Sequence, residues 1–163
     1  MSPLVAAIRP SDLDVPLFVH VLGAMLLVGV LLVAPLSLLL AGRFEGGEAT
    51  ALARVGLWTL AIGGVPAYAV MRTGAQWTAS REGLADVPAD PTWLSIGYVT
   101  ADAGALLLLV SLVLAVIGLR RLKSDTARPG GLPRAVGVIA VLLLAAYVVA
   151  VWAMTTKPGS GSV

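Results

Sequence analysis

The sequence predicts an all-α, polytopic membrane protein that folds as a single membrane domain, a bundle of four transmembrane helices. Hydrophobic residues make up 58% of the 163-residue chain and charged residues only 12%, and the mean hydropathy is +0.95. The apolar residues fall into four runs, and about 20 such residues cross a bilayer. Backbone groups in lipid must bond within their own segment, so each run is predicted to be helical. The predicted helices cover residues 15–41, 50–71, 93–119 and 135–154.

The first two predicted helices contain residues that bend helices. Asp14 precedes helix one and is a suitable capping residue, while Pro16 is tolerated in a first turn. We do not expect this run to be a signal peptide, because it is too long and acidic residues precede it. Pro35 in helix one and the segment 63–66, Gly-Gly-Val-Pro, in helix two are predicted to bend or loosen their helices.

The last two predicted helices are bounded by proline-containing segments. Asp90 and Pro91 form a helix-start pair before helix three. The segment 129–133, Pro-Gly-Gly-Leu-Pro, is predicted to break the chain before helix four, with Pro133 as the first residue of that helix, and residues 158–163 are predicted to form a flexible tail. Gly97 and Gly104, one heptad apart, allow close approach of helices within the bundle or between protomers.

The distribution of basic residues predicts an orientation. The positive-inside rule places loops rich in Lys and Arg in the cytoplasm. Loops one and three and their flanks carry seven basic residues: Arg43, Arg54, Arg120, Arg121, Lys123, Arg128 and Arg134. The remaining segments carry four: Arg9, Arg72, Arg81 and Lys157. We therefore expect a multi-pass protein of the inner (cytoplasmic) membrane, with loops one and three in the cytoplasm and both termini outside.

Composition also excludes several classes of function. The chain has no cysteine, which excludes disulfides, thiolate metal sites and covalently attached c-type haem. Its net charge of +2 needs no nucleic-acid partner, because basic loops facing an anionic membrane surface account for it. The sequence contains no phosphate-binding loop, dinucleotide-binding glycine pattern or serine-hydrolase spacing.

Two ionisable residues lie inside the apolar runs. His20, the only histidine, is near the start of helix one, and Asp102 is about three turns into helix three. Because a charged side chain in lipid is costly, Asp102 is expected to face the bundle interior, be protonated or have a partner, for which His20 is a candidate. Both are predicted in the outer half of the bilayer, at the end that also holds Arg72, Gln76, Trp77, Trp93, Tyr98, Tyr147, Trp152, Met154, Thr155 and Lys157.

A single histidine cannot build a closed zinc site, but it can be an axial ligand of b-type haem. Methionine is a possible second ligand, and Met25, Met71 and Met154 are the candidates. Histidine with methionine also suits copper, particularly Cu(I). The alternative for His20 and Asp102 is a structural hydrogen bond, and for the tryptophans it is an interfacial belt.

The segment 17–29, LFVHVLGAMLLVG, followed by Pro35, resembles the first helix of several small bacterial membrane families. These are the copper-resistance-D-like proteins, related four-helix integral membrane proteins and the HemJ-type protoporphyrinogen oxidases. The HemJ-type proteins are four-helix haem b proteins, so the resemblance implies haem ligation by His20. Where that family has a lysine in the third helix at the haem, this chain has Asp102.

Three functions are therefore considered. The first is a haem-binding redox protein with His20 as axial ligand, Met25 or Met154 as further ligands and Asp102 beside the haem. The second is a noncatalytic accessory or assembly subunit of a larger membrane complex. The third is a small oligomeric transporter or channel with Asp102 on the ion path.

Overall fold

The computed structural model describes residues 13–83, 92–124 and 131–156, which contain helices and no strands. The helices are α1 (Asp14–Ala41), α2 (Gly46–Trp58), α3 (Val65–Arg81), α4 (Thr92–Ser124) and α5 (Gly131–Thr156). A π-helical segment, Thr59–Gly64, joins α2 to α3. The described residues therefore form four helices long and apolar enough to cross a membrane, since α2, the π-helical segment and α3 are one span, Gly46–Arg81. This confirms the predicted four-helix membrane bundle.

The helix ends differ in part from the predicted ones. Asp14 lies in the first turn of α1 and makes no side-chain capping bond, because Leu13 occupies the N-cap position. The second span continues ten residues past its predicted end, to Arg81, because its last turns are polar and a hydropathy pattern does not register them. α5 begins at Gly131, so Pro133 is its third residue and not its first, and part of the segment predicted to break the chain belongs to the helix. The Asp90–Pro91 pair, Pro129 and the predicted tail at 158–163 lie outside the described residues.

The second span is loosened where the sequence predicted it. Pro66 has no backbone N–H, and its ring clashes with the carbonyl one turn earlier, so regular α-helical bonding cannot run through this point. The backbone instead forms the wider π-helical segment Thr59–Gly64, which ends two residues before Pro66. Gly64 lies against Leu108 of α4 there, since a Cβ on Gly64 would be 3.1 Å from Leu108 Cδ1. Beyond this point α3 stays packed on α1 but approaches α4 at few positions.

The bundle is arranged around α1, which packs against α2, α3 and α5, while α4 packs mainly on α5. The apolar core runs through all four spans and includes the buried Leu27, Leu31, Leu57, Leu108 and Leu143. Many outward-facing side chains are large and apolar, among them Leu36, Ile62, Leu106 and Leu142. In water such a surface would be unstable, so it fits a bilayer on the outside of the bundle.

Two glycines let α1 and α3 touch backbone to backbone. A Cβ on Gly23 would collide with the backbone of Met71, and a Cβ on Gly74 would collide with the backbone of His20. The contact is reciprocal, because Gly23 of α1 lies against the backbone of α3 and Gly74 of α3 lies against the backbone of α1. Small residues at such crossings allow the close packing that holds membrane helices together.

The charged residues mark two layers across the bundle. The second span is free of charge over residues 55–71, between Arg54 and Arg72, and α4 is free of charge over the equally long stretch 103–119. At 1.5 Å per residue each stretch is about 26 Å long, close to the hydrocarbon thickness of a bilayer. Arg54 donates to the Leu122 carbonyl at one layer (3.2 Å), and Arg72 pairs with Asp102 at the other (2.8 Å).

α1 and α4 begin at the end of the bundle that holds Arg72 and Asp102. We call it the His20 end, because His20 lies near the start of α1. The turns of α3 and α4 beyond these two residues extend past the uncharged stretches. Arg72 and Asp102 thus each end an uncharged stretch that is long enough to cross the hydrocarbon layer.

We expect Gly74→Ala to lower the free energy of unfolding by about 1–3 kcal/mol, because the added methyl group forces α1 and α3 apart. Gly29→Ala is the matched control, since its Cβ would meet no atom within 4 Å. Thermal unfolding of both variants in the same detergent checks the expectation. Equal melting temperatures for the two variants would contradict a close α1–α3 contact.

Candidate functional site

A cavity of about 360 Å³ opens at the His20 end of the bundle. All four spans contribute to it: Leu17 and His20 from α1, Met71 and Arg72 from α3, Trp93 and Tyr98 from α4, and Tyr147 and Met154 from α5. Its walls are mostly apolar, with a few polar groups, which is typical of small-molecule sites. The volume lies at the lower end of the range for such sites.

His20 is held in one orientation at the cavity wall. Its Nδ1 lies 3.0 Å from the Met71 carbonyl oxygen. A carbonyl oxygen can only accept a hydrogen bond, so Nδ1 carries the proton and donates it. In the neutral ring Nε2 then keeps its lone pair and can accept a hydrogen bond or bind a metal ion. The backbone contact between Gly74 and His20 brings α3 close enough for this bond.

Three side-chain interactions bridge the gap between α3 and α4. The Tyr68 hydroxyl donates to the Ala101 carbonyl oxygen at 3.2 Å, and Arg72 Nη2 donates to Asp102 Oδ1 at 2.8 Å. The Arg72 guanidinium also lies 5.4 Å from the centre of the Tyr98 ring, within the range of a cation–π interaction. Long side chains thus span the region where the two helices separate.

Asp102 has a partner, which was one of the three expectations for it, but the partner is Arg72 and not the candidate His20. Asp102 pairs with Arg72, while His20 bonds to the Met71 carbonyl. The Asp102 side chain is 66% exposed and is not among the residues around the cavity. It is on the outer flank of α4, so it does not face the bundle interior. Arg72 follows the uncharged residues 55–71 and Asp102 precedes the uncharged residues 103–119. These equal lengths are the sequence signal that could have identified Arg72 as the partner of Asp102.

The two methionines proposed as haem ligands are in different places. Met154 lines the cavity, and its terminal methyl group lies over Gly97, where a Cβ would collide with it. Met25 is 68% exposed and does not line the cavity. Met71 is buried and lines the cavity, and its carbonyl oxygen accepts the His20 bond.

Half of the polar and aromatic residues expected at this end line the cavity: Arg72, Trp93, Tyr98, Tyr147 and Met154. Gln76, Trp77, Trp152 and Thr155 are exposed around it, in positions suited to an interfacial belt. Lys157 lies outside the described residues.

The described residues contain no group of three or more His, Asp or Glu side chains that could hold a metal ion by themselves. A lone imidazole can still ligate iron within a macrocycle, since the macrocycle supplies the other nitrogen ligands.

Tyr147 has a buried hydroxyl for which the described residues provide no hydrogen-bond partner. We expect Tyr147→Phe to leave the unliganded protein as stable as the wild type or more stable by about 1 kcal/mol, because a desolvated hydroxyl is removed. Melting curves of the ligand-free protein measure this. Ser111→Ala, which removes the other buried unpaired hydroxyl, should behave in the same way. A loss of more than about 1 kcal/mol in Tyr147→Phe would mean that the hydroxyl has a partner.

The chain was compared with protein-family models, with curated proteins and with solved structures, and none of them matches it. The resemblance of helix one to the HemJ-type and copper-resistance-D-like proteins stays a prediction.

Proposed function

We propose that the protein is a haem-binding redox protein of the membrane, with His20 as an axial ligand of a b-type haem in the cavity at the His20 end. One observation carries the proposal. The Met71 carbonyl fixes the His20 ring through Nδ1, which leaves the lone pair of the neutral ring on Nε2, and His20 lines an apolar cavity. Histidine ligands in metal sites are commonly oriented by a hydrogen bond from the second ring nitrogen.

The other residues of the cavity fit the same group. Its apolar walls exclude water, and Trp93, Tyr98 and Tyr147 offer aromatic surface to a flat ligand. Met154, which also lines the cavity, is the candidate for a second axial ligand, a role for which Met25 is poorly placed. A bound haem supplies one-electron chemistry, and its axial ligands and surroundings set the potential.

The alternatives have less support. A transporter with Asp102 on the ion path would need that carboxylate in a water-filled passage, and Asp102 is instead 66% exposed and paired with Arg72 at the edge of the bundle. A role as an accessory subunit of a larger complex, or as a homo-oligomer, would use the outer apolar surface, which in this protein also suits lipid.

Purified wild-type protein from haem-supplemented cells is expected to show a Soret band, and an α band after dithionite reduction. His20→Ala should lose both bands, and added imidazole should restore them by replacing the missing ligand. Met25→Leu is the control and should keep the wild-type spectrum, because Met25 faces away from the cavity. Met154→Leu should alter the reduced spectrum if its sulfur is the second ligand. A folded but colourless wild-type protein would contradict the proposal and favour the accessory role.

We also propose that the His20 end faces the outside of the cytoplasmic membrane, with both termini outside and loops one and three in the cytoplasm. The supporting observation is the excess of Lys and Arg at the opposite end of the bundle. Because the chain has no cysteine, single cysteines can report the orientation. A membrane-impermeant maleimide should label Ser80→Cys in intact spheroplasts and should label Glu48→Cys only after lysis, since both positions are exposed at opposite ends. The reverse pattern would overturn the orientation.

A further inference from the structure

The helices around the cavity are packed closely along three of their four contacts. The order around the cavity is α3, α1, α5 and α4, because α1 packs on both α3 and α5, and α4 packs on α5. The fourth contact, between α3 and α4, involves few positions. The described helices therefore enclose the cavity least on the side between α3 and α4.

Side chains, and not backbones in contact, close this fourth side. We call residues 68–72 of α3 and the facing residues 98–102 of α4 the seam. The Tyr68 hydroxyl donates across it to the Ala101 carbonyl oxygen at 3.2 Å, and Arg72 Nη2 donates to Asp102 Oδ1 at 2.8 Å. The Arg72 guanidinium also lies 5.4 Å from the centre of the Tyr98 ring. Each of these interactions depends on a long side chain that reaches across a gap.

At Arg72 the wall of the cavity is a single side chain thick. Arg72 and Tyr98 line the cavity, whereas Asp102, the partner of Arg72, is 66% exposed and does not line it. The guanidinium thus has the cavity on one side and the outside of the bundle on the other. An ion pair this exposed is weak, and a side chain changes rotamer far faster than helices move. Rotation of Arg72 away from the seam is therefore enough to open the wall.

The outside of the seam is suited to lipid. Val70 and Val99, which belong to the seam, are exposed apolar side chains. Residues 68–71 also lie in the uncharged stretch of the second span, which is long enough to cross the hydrocarbon layer. A molecule that arrives at the seam from this side has to dissolve in hydrocarbon. The mostly apolar walls of the cavity fit the same class of molecule.

We propose that the seam is a lateral entrance through which the cavity takes up an apolar ligand dissolved in the bilayer, and that the Arg72 side chain closes this entrance. The ligand passes between α3 and α4, while α1 and α5 form the far wall. The inference rests on the proposed function only in using the same cavity, and an uncharged probe tests it without haem.

The first measurement asks whether a molecule dissolved in the bilayer reaches the cavity. Haem-free protein in nanodiscs is photolysed with a trifluoromethyl phenyl diazirine, an uncharged probe that partitions into lipid, and the labelled residues are identified by mass spectrometry. Ala24 and Val28 line the cavity from α1 and should be labelled. Met25, next to Ala24 but exposed and absent from the cavity wall, reports the probe in the lipid. Label on Met25 without label on Ala24 or Val28 would overturn the proposal.

A reversible bridge across the seam tests the route. The chain has no cysteine, so Arg72→Cys with Asp102→Cys supplies two thiols, which a bis-methanethiosulfonate reagent joins through disulfides that dithiothreitol cleaves. Bridging before the probe is added should remove most of the label on Ala24 and leave that on Met25 unchanged, and reduction should restore it. The single-cysteine variants, treated in the same way, should label as the wild type does. Unchanged label on Ala24 in the bridged protein would show that the probe enters elsewhere and would overturn the proposal.

The closing role of Arg72 has its own test. Arg72→Ala removes the side chain from the wall, so label on Ala24 should equal or exceed that in the wild type. Thr73→Ala is the matched control, because Thr73 is the exposed neighbour of Arg72 and does not line the cavity. Weaker label on Ala24 in Arg72→Ala than in Thr73→Ala would mean that Arg72 retains the probe, which contradicts a closing role.

Haem distinguishes the entrance from the proposed function. Loss of the label on Ala24 when the wild type is saturated with haem supports both. A protein that binds no haem but whose label on Ala24 depends on the bridge overturns the proposed function and supports the entrance. A haem-binding protein whose label on Ala24 is the same with and without the bridge overturns the entrance and leaves the proposed function standing.

Discussion

The close contact between α1 and α3 is the constraint on which the rest of the His20 end depends. Gly23 and Gly74 leave no side chain between the two backbones, so the Met71 carbonyl comes within 3.0 Å of His20 Nδ1. In lipid there is no hydrophobic driving force between helices, and such close packing is what holds them together. A larger residue at either glycine would both weaken the bundle and remove the bond that orients the imidazole.

The second span packs closely on α1 along α3, but it diverges from α4 there. The π-helical segment before Pro66 ends the region in which the second span lies against α4, and the separation beyond it makes room for the cavity. π-Helical turns are often found at functional sites because they redirect a helix without ending it. Here the redirection keeps Met71 and Arg72 on one continuous helix, with one residue facing His20 and the other reaching across to Asp102.

The sequence predicted the number of spans, the loosened segment before Pro66 and the end of the bundle where the polar residues collect. It did not predict which way each helix is rotated. In a membrane helix both faces are apolar, so hydropathy does not separate inside from outside as it does in a water-soluble helix. Met25 and Met154 looked equivalent for that reason, yet one is exposed and the other lines the cavity. Gly23 and Gly74 lie on the contact faces of their helices, but a Cβ on Gly29 of α1 would contact nothing, so glycine alone does not give the rotation either.

The Arg72–Asp102 pair lies at the ends of the uncharged stretches of the second span and α4. A charged group near the bilayer centre would cost at least about 2.5–3.5 kcal/mol, and the ends of the uncharged stretches avoid much of that cost. An ion pair as exposed as this one contributes only about 0–1 kcal/mol. The pair therefore positions the Arg72 side chain between α3 and α4 and contributes little to holding the two helices together.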